Sequence, residues 1–164
     1  ADQGKVELAG QNLSGLSEKD MSIFRATSLG IVFQQFHLVP HLTALENVAL
    51  PLEMSGRSAC RELAKAAMND VGLGHRLNHF PSELSGGECQ RVAIARAMVT
   101  SPKILLADEP SGNLDHDTGK HVMDTLFDRV HSAGTTMILV THNQGLAKSC
   151  DTHSRMEKGQ LFHS

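Results

Sequence analysis

Apolar and polar positions change their spacing several times along the chain, and each change marks an element. Lys5-Val6-Glu7-Leu8 alternates and runs into Ala9-Gly10-Gln11-Asn12, a strand followed by a turn. Residues 17–25 are polar with Met21, Ile23 and Phe24 interspersed, which predicts a short helix. Residues 29–33 form a compact apolar run of buried-strand length that stops at Gln34. Thr43-Ala44-Leu45-Glu46 fits a capping box, with Thr43 capping the backbone and Glu46 reaching back. The helix it opens is expected to break at Pro51, and Ser55-Gly56 breaks the chain again. Residues 60–71 read as a helix with Leu63, Ala66, Ala67 and Val71 on one side. The stretch 40–80 is thus a helical insertion in an otherwise alternating α/β chain.

The second half is plainer. Residues 88–98 read as a helix whose apolar members are Val92, Ile94, Ala95 and Met98. Residues 104–107 form a buried strand that ends in Asp108-Glu109-Pro110. A helix over about 118–131 buries Val122, Met123, Leu126, Phe127 and Val130 at 3.6-residue spacing, and Gly134 terminates it. Thr136-Met137-Ile138-Leu139-Val140 reads as another buried strand, ending at Thr141-His142. Strand, helix, strand over this length predicts a βαβ unit with parallel strands and a right-handed crossover. The 29–33 run is a candidate third strand of that sheet.

Composition narrows the picture mainly by exclusion. The 164 residues are 40% hydrophobic and 20% charged, which suits one domain with a sizeable core and not a disordered chain. Lys plus Arg is 15 against 18 for Asp plus Glu, a formal charge of −3, which gives no support to a nucleic-acid footprint. The longest apolar runs fall far short of a membrane span. Residues 1–10 carry Asp2, Lys5 and Glu7, which is not the pattern of a secretory signal. Cys60, Cys89 and Cys150 are odd in number and lack metal-ligand spacing, so a reduced, cytosolic setting is expected. The ten histidines are scattered, and there is no Tyr or Trp.

Ligands of open α/β sheets bind at the carboxyl ends of the strands. Asp108 and Glu109 leave one predicted strand there, His142 leaves the next, and Gln34 leaves the third. Each type suits phosphoryl transfer. An Asp after a buried strand can hold Mg²⁺ through its water shell. A second carboxylate beside it can polarise an attacking water, and a His can orient that water or contact a terminal phosphate. An amide such as Gln34 can bridge water and metal without adding charge. Taken alone, the acidic pair is equally a solvated strand end with capping duty, and His142 an ordinary strand-end histidine. Leu84-Ser85-Gly86-Gly87-Glu88 opens a helix: Ser85 can donate from its hydroxyl, the glycines let a phosphate approach the backbone, and the helix N-terminus favours an anion. A plain N-cap with a glycine turn reads the same way in isolation.

Together these segments resemble the motifs of ATP-binding-cassette (ABC) ATPases. Leu84-Ser85-Gly86-Gly87-Glu88, continuing through Cys89-Gln90-Arg91-Val92-Ala93-Ile94-Ala95-Arg96-Ala97, is similar to their signature motif. Ile104-Leu105-Leu106-Ala107-Asp108-Glu109-Pro110 resembles Walker B, Ser111-Gly112-Asn113-Leu114-Asp115 the D-loop, and Val140-Thr141-His142 the switch histidine. Gly30-Ile31-Val32-Phe33-Gln34 resembles the Q-loop, and Phe33 to Phe36 with the 42–52 segment is most similar to lipoprotein-releasing and macrolide-exporting ATPases. The resemblance implies a P-loop-NTPase-like α/β fold, a parallel sheet with flanking helices and an inserted helical subdomain. It divides the chain into 1–36 with the Q-loop, 37–97 with the helical subdomain and signature, and 98–164 with Walker B, D-loop and switch histidine. It implies that Asp108 holds Mg²⁺, Glu109 is the catalytic base, and His142 contacts the γ-phosphate and the attacking water. Gln34 would sense Mg²⁺, and Ser85, Gly86 and Gly87 would contact the γ-phosphate of ATP held by a second ATPase subunit, with Asp115 across that dimer interface. The implied cofactors are ATP and Mg²⁺, the partner a transmembrane permease, and the location the cytoplasmic face of the cell membrane. Cys89 replaces the polar residue usual at its position and reads as a tolerated helix position.

No G-x-x-x-x-G-K-[ST] loop occurs in the sequence; the nearest look-alike, Gly112 to Gly119-Lys120, has the wrong spacing and is followed by His121. The resemblance therefore covers the later part of the family domain, with Asp2-Gln3-Gly4-Lys5-Val6 matching the turn and strand after the phosphate-loop helix. The lack of Tyr and Trp fits the loss of an upstream adenine-stacking aromatic. The chain is accordingly expected to lack ATPase activity alone, and to self-associate through uncovered apolar faces and strand edges. One alternative is a non-catalytic module that lends Ser85-Gly86-Gly87 to a complete ABC partner. A relative acting in DNA repair or chromosome organisation is disfavoured, because the sequence has no sustained heptads.

Overall fold

The computed structural model describes residues 4–163. The placement of Asp2 and Gln3 in an opening turn lies outside them. Two short strands, β1 (Glu7–Leu8) and β2 (Gln11–Asn12), form an antiparallel hairpin. Its turn residues Ala9 and Gly10 both have positive φ, the geometry that matches the twist of paired strands. Helix α1 (Glu18–Ser28) follows, capped by the Ser17 hydroxyl, and leads into β3 (Leu29–Val32).

Helices α2 (Ala44–Met54) and α3 (Cys60–Asp70) come next. Thr43 and Glu46 make the predicted capping box. The predicted break at Pro51 is not there: α2 runs through it to Met54. A proline in a helix interior costs about 3 kcal/mol, but Leu52, one residue beyond, is fully buried, and keeping it in the core offsets that cost. The apolar stripe of α3 also differs from expectation. Ala64 and Met68 are the buried positions, while Leu63 and Ala66 face solvent.

Helix α4 (Gly86–Met98) is the centre of the molecule and packs on α2, α3, β3 and the later helix α5 (His116–Ala133). It begins at Gly86, two residues earlier than expected, because Ser85 and Glu88 form a second capping box. Small residues on α4 permit close neighbours. At Gly30 on β3 the approach is so tight that a Cβ would stand 2.5 Å from the Ala97 carbonyl oxygen.

Strands β4 (Ile104–Asp108) and β5 (Thr136–Val140) flank α5 in sequence and pair in parallel, which makes the predicted βαβ unit. Strand β3 joins on the other side of β4, so the sheet order is β3-β4-β5 with all strands parallel. The α/β class and the third strand are as expected. The prediction that β5 is buried is not: Ile138 is 45% and Val140 58% exposed, because among the described residues β5 has a neighbour on one side only. A short helix, α6 (Gln144–Lys148), and a second hairpin, β6 (Ser154–Glu157) with β7 (Gln160–His163), close the chain. None of the described helices is long and apolar enough to cross a membrane.

Candidate functional site

Register decides what meets at the carboxyl edge of the sheet. Val32 lies opposite Ala107, and Asp108 opposite Val140. Gln34, Asp108 with Glu109, and His142 therefore leave three neighbouring strands at the same end.

Glu109 sits just past β4 in a left-handed backbone conformation, φ +44°, and its N–H continues the ladder to the Val140 carbonyl at 2.9 Å. The turn aims the carboxylate at the end of β5. There Oε1 accepts the His142 backbone N–H at 2.7 Å and lies 2.6 Å from its ring Nδ1, while Oε2 accepts the Thr141 hydroxyl at 3.3 Å. The Glu109 side chain is mostly enclosed, whereas the His142 ring is 83% exposed. Asp108, by contrast, is exposed and has no side-chain partner among the described residues.

Gln34 is held by Asn113 of the turn after Glu109. Gln34 Nε2 donates to Asn113 Oδ1 at 3.0 Å, and Asn113 Nδ2 donates to the Gln34 carbonyl at 3.2 Å. Asp115 caps α5, accepting the Thr118 N–H at 3.0 Å, and the Thr118 hydrogen bonds hold its carboxyl below the usual range. Both glycines of the signature segment have structural neighbours. A Cβ on Gly87 would stand 2.4 Å from the Thr118 methyl, and one on Gly86 would stand 3.1 Å from Leu114. Gly87 is thus buried against α5 rather than open, while Ser85 and Gly86 remain exposed. Glu88 receives the Ser85 N–H and pairs with Arg76 Nε at 2.9 Å; the Ser85 bond leads the effects that lower its carboxyl pKa. Cys89 is buried, and burial pushes its thiol up, so the structure agrees with an inert helix position.

Four residues contribute that the sequence reading gave no role. Thr141 fixes the second oxygen of Glu109, and Asn113 fixes Gln34. Arg96 donates to the Phe36 and His37 carbonyls at 2.8 and 2.6 Å, clamping the segment after Gln34, and burial lowers its pKa. Gln90 is fully buried and donates to the carbonyls of Phe33 and Pro110. A polar residue on the buried side of α4, among Cys89, Val92 and Ala93, was the available signal for Gln90.

The donor set fits a shared metal site. No group of three or more His, Cys, Asp and Glu side chains among the described residues is placed to hold a metal by itself. Mg²⁺ instead favours one or two carboxylates with several waters and substrate phosphates. The unpartnered carboxylate of Asp108 meets that need, and the free Oε1 of Gln34 can add a neutral ligand.

Known proteins resemble this chain over most of its length. The family model described as ABC transporter matches residues 1–112. The chain is 49% identical over 165 residues to the lipoprotein-releasing system ATP-binding protein LolD of Pseudomonas syringae pv. tomato, covering 99% of this chain and 72% of that protein. It is 49% identical over 160 residues to the uncharacterized ABC transporter ATP-binding protein YbbA of Escherichia coli K12, covering 96% of this chain and 70% of that protein. Among solved structures, the ATP-binding cassette MJ0796, captured as a dimer bound to ADP and Pi, superposes with a TM-score of 0.84 at 36% identity, covering 98% of this chain and 73% of that one. The chain belongs to the ABC transporter family.

Proposed function

We propose that the protein is the ATP-binding subunit of an ABC transporter that couples ATP binding and hydrolysis to lipoprotein release or export by a membrane permease. Its place would be the cytoplasmic face of the cell membrane, paired with a second ATPase subunit. The observation that carries this reading is the Glu109–His142 contact at the carboxyl edge, beside the free carboxylate of Asp108. The similarity to LolD supports lipoproteins as cargo.

In this reading Asp108 and Gln34 hold Mg²⁺, which would offset phosphate charge. Glu109 takes the proton of the attacking water. His142, whose ring is exposed while its backbone is tied to Glu109, reaches the γ-phosphate and that water. Ser85, Gly86 and Gly87 sit at the N-terminus of α4, where backbone N–H groups and the helix dipole favour an anion. They would contact the γ-phosphate bound by the other subunit, and Asp115 would lie across the interface. The segments 1–36, 37–97 and 98–164 would carry the Q-loop, the helical subdomain with the signature, and the Walker B-to-switch region.

These 164 residues contain no G-x-x-x-x-G-K-[ST] loop to bind the β- and γ-phosphates. By themselves they are expected to turn over no ATP and to self-associate through the exposed β5 edge. A complete relative would then supply the composite site to which Ser85 contributes. The test is ATPase activity of the purified chain, alone and mixed with a full-length relative. Silence alone and a mixed activity reduced by Ser85→Ala support the reading. Mg²⁺-dependent turnover by the chain alone, abolished by Glu109→Gln, overturns the predicted inactivity. A mixture indifferent to Ser85→Ala overturns the pairing.

A further inference from the structure

Two amide side chains join the segment carrying Gln34 to the turn that follows Glu109. From inside, Gln90 Nε2 donates to the Phe33 carbonyl at 3.1 Å and to the Pro110 carbonyl at 2.6 Å. Phe33 immediately precedes Gln34, and Pro110 immediately follows Glu109. Gln90 Oε1 is buried without a partner. An unpartnered buried oxygen is unfavourable, and an apolar residue of similar size would avoid it. What Gln90 supplies in exchange is its pair of donated bonds, which set the two backbone segments side by side.

From outside, Asn113 completes the link, and hydrogen-bond logic fixes every orientation in it. The Gln34 backbone carbonyl can only accept, so Asn113 presents Nδ2 to it, at 3.2 Å. Asn113 Oδ1 then faces the Gln34 side chain and can only accept, so Gln34 presents Nε2, at 3.0 Å. The Gln34 amide is thereby oriented with its oxygen left free, and the oxygen is the atom that can ligate a metal or accept from water. The seat also depends on Gly112, where a Cβ would stand 2.9 Å from Gln34 Nε2.

We infer that Asn113, with Gln90 behind it, is a positioning residue that fixes the Gln34 amide with Nε2 spent and Oε1 available. The inference rests on the proposed role of Gln34 as a metal and water contact.

The test reads side-chain NH₂ exchange with water by NMR in the full chain labelled at Gln and Asn. Gln35 is the internal reference, being exposed and without a side-chain partner among the described residues. Gln34 protons are expected to exchange about threefold to tenfold more slowly than those of Gln35. Asn113→Ala should bring Gln34 to the Gln35 rate, whereas Asn113→Asp, which still accepts from Nε2, should keep it slow. Gln90→Leu should speed Gln34 exchange as well. Equal rates for Gln34 and Gln35 in the unaltered chain, or a Gln34 rate indifferent to Asn113→Ala, overturn the inference. A rate indifferent to Gln90→Leu removes the part given to Gln90. Mn²⁺ alone, titrated into the same sample, tests the metal reading separately by broadening signals of residues 107–110. Slow Gln34 exchange without broadening upholds the positioning and shows that these residues do not hold the metal without phosphate; broadening with fast Gln34 exchange supports the metal contact and sinks the positioning.

Discussion

Glu109 and His142 meet at a single oxygen: Glu109 Oε1 accepts the His142 backbone N–H at 2.7 Å and lies 2.6 Å from the ring Nδ1. The contact joins the ends of two strands that are adjacent in the sheet but 33 residues apart in sequence. It requires Glu109 to leave β4 with φ +44°, a conformation that costs a non-glycine residue about 1–2 kcal/mol. The carboxylate is therefore aimed by a strained turn and then held by Thr141 and His142.

That strain makes the first prediction. Glu109→Ala and Glu109→Gly both delete the carboxylate contacts, but only glycine accepts the left-handed backbone without penalty. Glycine also gains freedom in the unfolded chain, which offsets part of the relief. The Gly variant is expected to be more stable than the Ala variant by roughly 0.5–1 kcal/mol in urea unfolding. Equal stability, or a more stable Ala variant, would show that strain at residue 109 does not exceed the unfolded-state cost of glycine.

The start of α4 makes the second. Ser85 Oγ accepts the Glu88 N–H at 3.2 Å, and Glu88 returns the bond by accepting the Ser85 N–H at 2.8 Å. Ser85→Ala is expected to cost about 1 kcal/mol. Glu88 has its carboxyl pKa lowered, first by the Ser85 backbone bond and also by Arg76. A folded pKa below the unfolded value means that the charged form favours the fold. Its stabilisation is present above the unfolded carboxylate range and is lost as pH falls through the folded pKa. Glu88→Gln should flatten this acid-side slope in urea titrations across pH 5 to 2. An unchanged slope would remove Glu88 from the acid sensitivity.

Much of this was legible in the chain, and the reasons it was not always so are physical. The 3.6-residue spacing of Val122, Met123, Leu126 and Val130 placed α5, and Thr43 with Glu46 announced the capping box that opens α2. Edge and centre are not written into a strand: Thr136–Val140 reads as buried on composition, yet exposure depends on how many neighbours the strand has. Pro51 misled because local propensity argues for a break while the buried Leu52 holds the helix on. On the site, strand-end position put Gln34, Asp108, Glu109 and His142 at one edge of the sheet, and the family resemblance supplied their expected roles. The residues that orient them, Gln90, Asn113 and Thr141, act across 20 to 79 residues of sequence and follow no spacing rule.

Gly87 and Thr118 supply a third prediction, about the joint between α4 and α5. The absent Cβ of Gly87 leaves a gap that the Thr118 methyl fills, since a Cβ would come within 2.4 Å of it. Gly87→Ala should overpack the joint and cost about 1–3 kcal/mol. Thr118→Ser removes the methyl and keeps the hydroxyl, so the double variant should recover most of the loss in a thermal melt. A double variant as unstable as Gly87→Ala alone would mean that the glycine is needed for backbone reasons instead.

The thiols give the last prediction, because they report whether α4 stays closed on the chain before it. Cys89 is buried one turn into α4, and its Sγ donates to the Pro81 carbonyl at 3.5 Å. Burial raises its pKa, so little thiolate forms at neutral pH and little of it is reachable. Cys60 and Cys150 are only partly buried. A disulfide-exchange reagent at pH 7.5 should therefore label Cys89 last, in a slow phase that Cys89→Ala removes and denaturant abolishes. The slow phase should quicken as pH rises beyond the ordinary thiol range, which separates a protonation barrier from one of access alone. Cys89 reacting as fast as Cys60 in the folded chain would mean that the start of α4 opens readily from the Pro81–Glu83 turn, and that Ser85 is not held where the proposed phosphate contact needs it.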